Sequence, residues 1–251
     1  MPQRRLVVQM FRKSKADAIG EFFTLTLKEN ELAFFYLGAS GFIVRSLSQT
    51  VMFDPAGMLK DDEVKALKAV NLLLFTHSHL DHFSSGKAQV IFKATAASVL
   101  AEAKVASKLG GKIPADKLVS AESGKTYGFG DFTVTAIAGI HRGPIMLYQI
   151  KTGGITLFHG GDSGYVSLKN YPSQVAIVPV GGMSPTASPE NAFKMVADLK
   201  ADVAISMHGS DKQKRQFEQK VKEAMPRTEV LAMDSYTFKT VLLGTKPHLN
   251  G

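Results

Sequence analysis

The 251-residue chain contains no cysteine. That absence excludes disulfides, thiolate metal ligands, iron–sulfur clusters and a cysteine nucleophile together, so any bound metal must take nitrogen and oxygen ligands. It also fits a reducing compartment, and the expectation is a cytoplasmic protein. Long apolar runs are missing too: no stretch approaches the roughly 18 residues of a membrane helix, so no membrane partner is expected. The apolar run ahead of Arg12, Lys13 and Lys15 is too short for a signal peptide. The chain holds no repeat of solenoid spacing and no low-complexity tract.

What is present points to a globular fold. An apolar fraction of 45% with 21% charged residues argues against disorder and against a fibrous chain. The length predicts one domain over residues 1–251. The net charge of +8 comes from scattered lysines, which read as a solvated surface with a mild preference for small anionic substrates.

Periodicity divides the chain into two halves, each a set of strands followed by helices. Strands are predicted over residues 21–28, 31–37, 41–46, 50–54 and 72–75, with a helix over 63–70 capped by Asp61 and Asp62. A second helix is predicted over 95–109, stopped by Gly110 and Gly111. Strands follow over 132–138, 145–151, 155–159, 175–180 and 202–207, with helices opening at Ser188 and over 212–224. Last come strands near 229–232 and 236–243. Two stacked sheets with helices on the outer faces bury all these apolar faces, which gives an α/β class and a four-layer αββα sandwich.

The densest chemical signal is Thr76-His77-Ser78-His79-Leu80-Asp81-His82-Phe83, directly after the buried strand Leu72–Phe75. In an extended segment His77 and His79 project to one side and can share a metal, while Asp81 and His82 can serve a neighbouring one as the chain turns. One loop cannot complete two coordination shells, so further ligands are required at other strand ends. His141, Asp162 and His208 each follow a predicted strand and sit among glycines.

This ordered set resembles the metallo-β-lactamase superfamily, in particular its single-domain branch of metal-dependent hydrolases and sugar-phosphate lactonases. The resemblance spans about residues 30–245 and includes Phe53-Asp54-Pro55, the histidine block, His141, His159-Gly-Gly-Asp162, Pro179-Val-Gly-Gly182 and Met207-His208. It implies a first metal on His77, His79 and His141, a second on Asp81, His82 and His208, and Asp162 bridging them with a water or hydroxide between. Asp81 and Asp162 are then the catalytic carboxylates, and the cofactors are two divalent ions, zinc first, with manganese or iron as alternatives.

Asp54 reads as an acceptor that fixes the histidine loop, and His159 as a packing or supporting residue. Arg142 and Ser163 are candidates for supporting or substrate contacts. Ser84 and Ser85 are candidate caps of a helix facing the site, and Gly181-Gly182 a candidate for backbone N–H groups facing an anion. His248 is expected to be exposed. Where this branch usually carries a histidine beside the pocket the chain has Ala39, so no particular substrate carries over. The implied activity is hydrolysis of a phosphodiester or lactone. A thioesterase of the glyoxalase type and a non-catalytic metal-binding protein are the alternatives. Nuclease action is disfavoured, because no segment is long enough for the inserted domain or arm that holds RNA in larger relatives. No oligomeric state is legible.

Overall fold

The computed structural model describes residues 14–55 and 58–243, so His248 and the basic N-terminal segment lie outside the described residues. Its strands form two seven-stranded sheets. The first contains β1 (Glu31–Gly38), β2 (Gly41–Arg45), β3 (Thr50–Phe53), β4 (Leu72–Phe75), β5 (Ser98–Ala101) and β6 (Leu118–Ser120) in sequential order, with β14 (Thr237–Leu242) on the free edge of β1. The second contains β7 (Thr126–Phe129), β8 (Phe132–Ala138), β9 (Met146–Thr152), β10 (Ile155–His159), β11 (Val175–Pro179), β12 (Val203–Met207) and β13 (Glu229–Val230) in spatial order.

Side-chain alternation explains the layering. Along β1, Leu32, Phe34 and Tyr36 enter the layer between the sheets, together with Val134, Tyr148 and Ile177 of the second sheet. Ala33, Phe35 and Leu37 face the opposite way and pack on helices α1 (Lys15–Thr24), α2 (Asp61–Ala66), α3 (Ser85–Thr95) and α4 (Ala103–Leu109). On the far side, α5 (Pro189–Leu199) and α6 (Asp211–Ala224) cover the second sheet through Met195, Val196, Phe217 and Val221. Each fully buried Phe, Leu or Ile contributes about 1.5–3 kcal/mol, and the expected four-layer αββα sandwich is what this burial builds.

Three local expectations differ. Residues 21–24 close α1 rather than opening a strand: Ser14 and Asp17 form a reciprocal capping box, and Ile19, Phe22 and Phe23 bury one helical face. The expected 95–109 helix is interrupted by β5, whose Val99 and Leu100 face opposite sides of the sheet, and Glu102 caps the separate α4 with both carboxylate oxygens. The helix expected over 63–70 starts earlier and ends at Ala66; Asp61 and Asp62 lie in its first turn, and Glu63 accepts the cap hydrogen bond from the Lys60 N–H.

The ladder directions place the site. β3 to β6 are parallel, and β1 shares their direction across the antiparallel β2; β10 to β13 are parallel, and β8 shares theirs across β9. The carboxyl ends of β3, β4, β8, β10 and β12 therefore carry Asp54, the Thr76–Phe83 loop, His141, Asp162 and His208.

Candidate metal centre

Beyond β4 the chain turns on itself where the His82 and Phe83 N–H groups both donate to the His79 carbonyl, 3.1 and 2.8 Å away. The turn presents two faces. His77 and His79 gather with His141, whose Nε2 lies 3.1 Å from His79 Nδ1. Asp81 and His82 gather with Asp162 and His208. The two groups adjoin, with the His77 and His82 rings 4.0 Å apart. All seven residues singled out in the sequence thus converge, although His141 and His208 lie far along the chain from the loop.

Buried imidazole atoms without partners mark this place. Nε2 of His77, His82 and His208 and Nδ1 of His141 have no hydrogen-bond partner. Native interiors satisfy nearly all such atoms, so four unsatisfied ring nitrogens in one location fit a cation. His82 Nε2 and His208 Nε2 each lie 3.1 Å from Asp162 Oδ2, close but not aligned as hydrogen bonds. Asp81 Oδ2 is 3.5 Å from both. Imidazole and carboxylate donors suit divalent zinc, manganese or iron.

Charge is finely divided. Burial, and next the proximity of His82, hold His77 down to about 3, so it is neutral and free to donate a lone pair. Burial also lowers His141. At His82 and His208 burial works the same way, but Asp162 and the other facing carboxylates outweigh it and push them up to about 12 and about 9. The His208 and His82 partners hold Asp81 well below the usual carboxylate range, and at Asp162 the same two imidazoles overcome burial. A divalent cation would displace protons from such pairs.

Behind the ring, a hydrogen-bond relay fixes the tautomers. Asp54 is fully buried; its Oδ1 accepts from the Thr76 N–H at 2.8 Å, and its Oδ2 accepts from the Thr76 hydroxyl at 2.5 Å and from His82 Nδ1 at 2.9 Å. With its proton given to Asp54, Thr76 Oγ1 accepts from His77 Nδ1 at 3.0 Å. In the neutral form that binds a metal, both histidines therefore carry the ring proton on Nδ1 and turn Nε2 to the site. Asp54, Ala39 and His208 all sit at positive φ, at 40°, 46° and 55°. Such backbone persists only where its surroundings hold it, and here the His208 N–H donates to the Ala39 carbonyl.

The remaining candidates separate by contact. His159 is buried, stacked 4.4 Å from Phe53, donating from Nε2 to the Ser40 carbonyl and accepting the Gly161 N–H at Nδ1; burial lowers it to about 4. Ser163 is fully buried and its hydroxyl donates to the Gly164 carbonyl and accepts from the Ile140 N–H, so it positions the His141 loop and offers nothing to a substrate. Arg142 is exposed and its Nε donates to the Ser184 carbonyl. Ser84 caps α3, whereas Ser85 is its first residue. Gly181 is buried against the Gln213 side chain, whereas Gly182 is exposed.

Two participants were not singled out by sequence reasoning. Ser40 is fully buried and donates to Asp162 Oδ1 at 2.9 Å. Thr76 stood inside the motif without a role, yet it joins Asp54 to His77. Their signal is tertiary: an isolated Ser or Thr at a strand end is ordinary in a sequence.

A family model described as beta-lactamase superfamily domain matches residues 33–208. The chain belongs to the metallo-β-lactamase superfamily. Among the superfamily's curated members, a UPF0173 metal-dependent hydrolase from Thermococcus kodakarensis is 30% identical over 192 residues, covering 69% of this chain and 82% of the relative. Igni18, a metallo hydrolase from Ignicoccus hospitalis, superposes with a TM-score of 0.72 at 21% identity, covering 85% of this chain and all of its own. CmlA, a diiron β-hydroxylase from Streptomyces venezuelae, shares the fold with a TM-score of 0.63 at 15% identity over 86% of this chain and 55% of its own. Metallo-β-lactamase folds thus carry more than one chemistry, and the donor set rather than the sandwich must decide the activity.

Proposed function

We propose that this chain is a hydrolase that uses two divalent cations, zinc foremost, to cleave an ester-like bond, a phosphodiester or a lactone, in a small anionic substrate. The observation that carries the reading is the convergence of four unpartnered buried imidazole nitrogens beside the Asp81 and Asp162 carboxylates. The relatives named as metal-dependent hydrolases support it.

In this reading His77, His79 and His141 hold one ion, and Asp81, His82 and His208 the other. Asp162 would serve both ions, its carboxylate held in place by the Ser40 hydroxyl, which donates to Oδ1. When bound, a divalent pair supplies Lewis acidity and brings the pKa of a shared water toward neutrality. Asp81, half exposed beside buried His82 and partly buried His208, would orient the attacking water. Asp54 and Thr76 keep His77 and His82 in the donating tautomer throughout. The positive net charge and the exposed Arg142 favour an anionic substrate. Among the described residues no helix is long and apolar enough to cross a membrane, and a cytoplasmic site of action is part of the proposal.

The test is elemental analysis of purified protein with a turnover screen across phosphodiesters, lactones, esters and thioesters. His79→Ala and Asp162→Ala are expected to fold, with metal content and turnover both lost. Wild-type metal content in both variants would overturn the assignment.

A further inference from the structure

Six large apolar side chains stand exposed among the described residues; two of them lie on loops that carry candidate metal ligands and a third on a loop tied to one of these. Leu80, 89% exposed, lies between His79 and Asp81; Ile140, 51% exposed, precedes His141; Met183, 76% exposed, lies on the loop after β11. A leucine between two ligand-type residues does no work in the core. Exposed apolar surface gathered around a polar centre marks a binding face rather than a random surface.

The loops are held to one another, so the rim is formed in advance. Ile140 is fixed on both sides, its N–H donating to Ser163 Oγ at 2.9 Å and its carbonyl accepting from the Gly164 N–H at 2.7 Å. The Arg142 Nε donates to the Ser184 carbonyl at 3.0 Å, which ties the Met183 loop to the His141 loop. On its other side Gly209, next to His208, packs against Val180 and the Gly181 nitrogen. Among the described residues the two terminal nitrogens of Arg142 have no hydrogen-bond partner, so they face solvent as donors for an anion.

Resting on the hydrolase reading of this same site, we propose that the substrate carries an apolar substituent beside its anionic group: Leu80, Ile140 and Met183 cover the apolar part, and Arg142 takes the charge at its edge. An anion without apolar bulk would leave the rim wet and gain nothing from it. A wholly neutral substrate would leave Arg142 unused.

The test is calorimetric titration of zinc-loaded protein with alkylphosphonates from methyl to hexyl. Affinity is expected to rise about two- to fourfold per added methylene until the rim is covered. In the triple variant Leu80→Ser, Ile140→Ser, Met183→Ser, and to a lesser degree in Leu80→Ser alone, the series should flatten while zinc stoichiometry is retained. A flat series in the wild-type protein, no binding of any member, or an unchanged slope in the triple variant would overturn the inference. Turnover in the ester screen together with a flat series removes this inference and leaves the hydrolase reading. A rising series without turnover of any ester does the reverse.

Discussion

At the scale of single residues, the site depends on groups that never touch a substrate. Asp54 holds two histidines at once, through Thr76 and directly at His82. Asp54→Asn puts an amide donor where two donors converge, so His77 and His82 lose the tautomer that frees Nε2. Metal affinity should fall about 10–100-fold while the fold is kept, read by competition with a chromogenic chelator. Unaltered affinity would show that the relay is idle. His159 makes a pH prediction. Burial holds its folded pKa at about 4, below the ordinary histidine value of 6.5, so the unfolded chain binds its proton first as the solution is acidified. The contribution is fully present above pH 6.5 and is lost between about 6.5 and 4, amounting to about 3 kcal/mol. Denaturant titrations across that window should show a shallower pH slope for His159→Gln than for the wild-type protein, since the amide still donates to the Ser40 carbonyl but does not titrate.

At the scale of elements, short apolar stretches are where sequence and structure part. Phe22, Phe23 and Thr24 look like strand residues, yet the box between Ser14 and Asp17 and the burial of Ile19 commit the segment to α1. Val99 and Leu100 fit a helical pattern with Ala103 and Ala106, but each meets a different layer, which only a strand allows. Longer or bounded elements, such as β8, β10, β12 and α6, lie where their periodicity places them within a residue or two. Some loops near the site are closely packed on one another. A Cβ on Gly164 would clash with the Pro185 carbonyl oxygen, so Gly164→Ala must push apart the loops carrying Asp162 and Met183. The cost should be about 1–3 kcal/mol, lowering the thermal midpoint by several degrees with weaker metal retention. A calorimetric scan superimposable on the wild type would contradict this.

At the scale of the whole molecule, two sheets meet at one edge and the metal centre seals the seam. Ties cross between them there: Tyr148 Oη donates to the Phe75 carbonyl, Ser40 to Asp162, His159 to Ser40, and the Met146 N–H to the Thr76 carbonyl. Cations held by ligands from both sheets should therefore stabilise the folded state as a whole. At a free metal concentration a thousandfold above the dissociation constant the gain is about 4 kcal/mol. Removing metal with a chelator should lower the thermal midpoint reversibly, and re-addition of zinc should restore it. No shift in either direction would argue against metal held across the sheets.

The sequence by itself determined the kind of chemistry available. Lacking cysteine and crowding three histidines and an aspartate into one loop after a buried strand, it limits the centre to nitrogen and oxygen donors, and its alternating apolar strands require two covered sheets. Only the tertiary structure decided which of the scattered polar residues serve that centre. Ser40 and Asp162 lie 122 positions apart, and nothing local to either makes one the anchor of the other. The same holds for the Leu80, Ile140 and Met183 rim, because exposure and proximity are properties of the folded surface. Periodicity reports which face of an element is buried, whereas a hydrogen-bond partner is chosen by where strand ends meet in space.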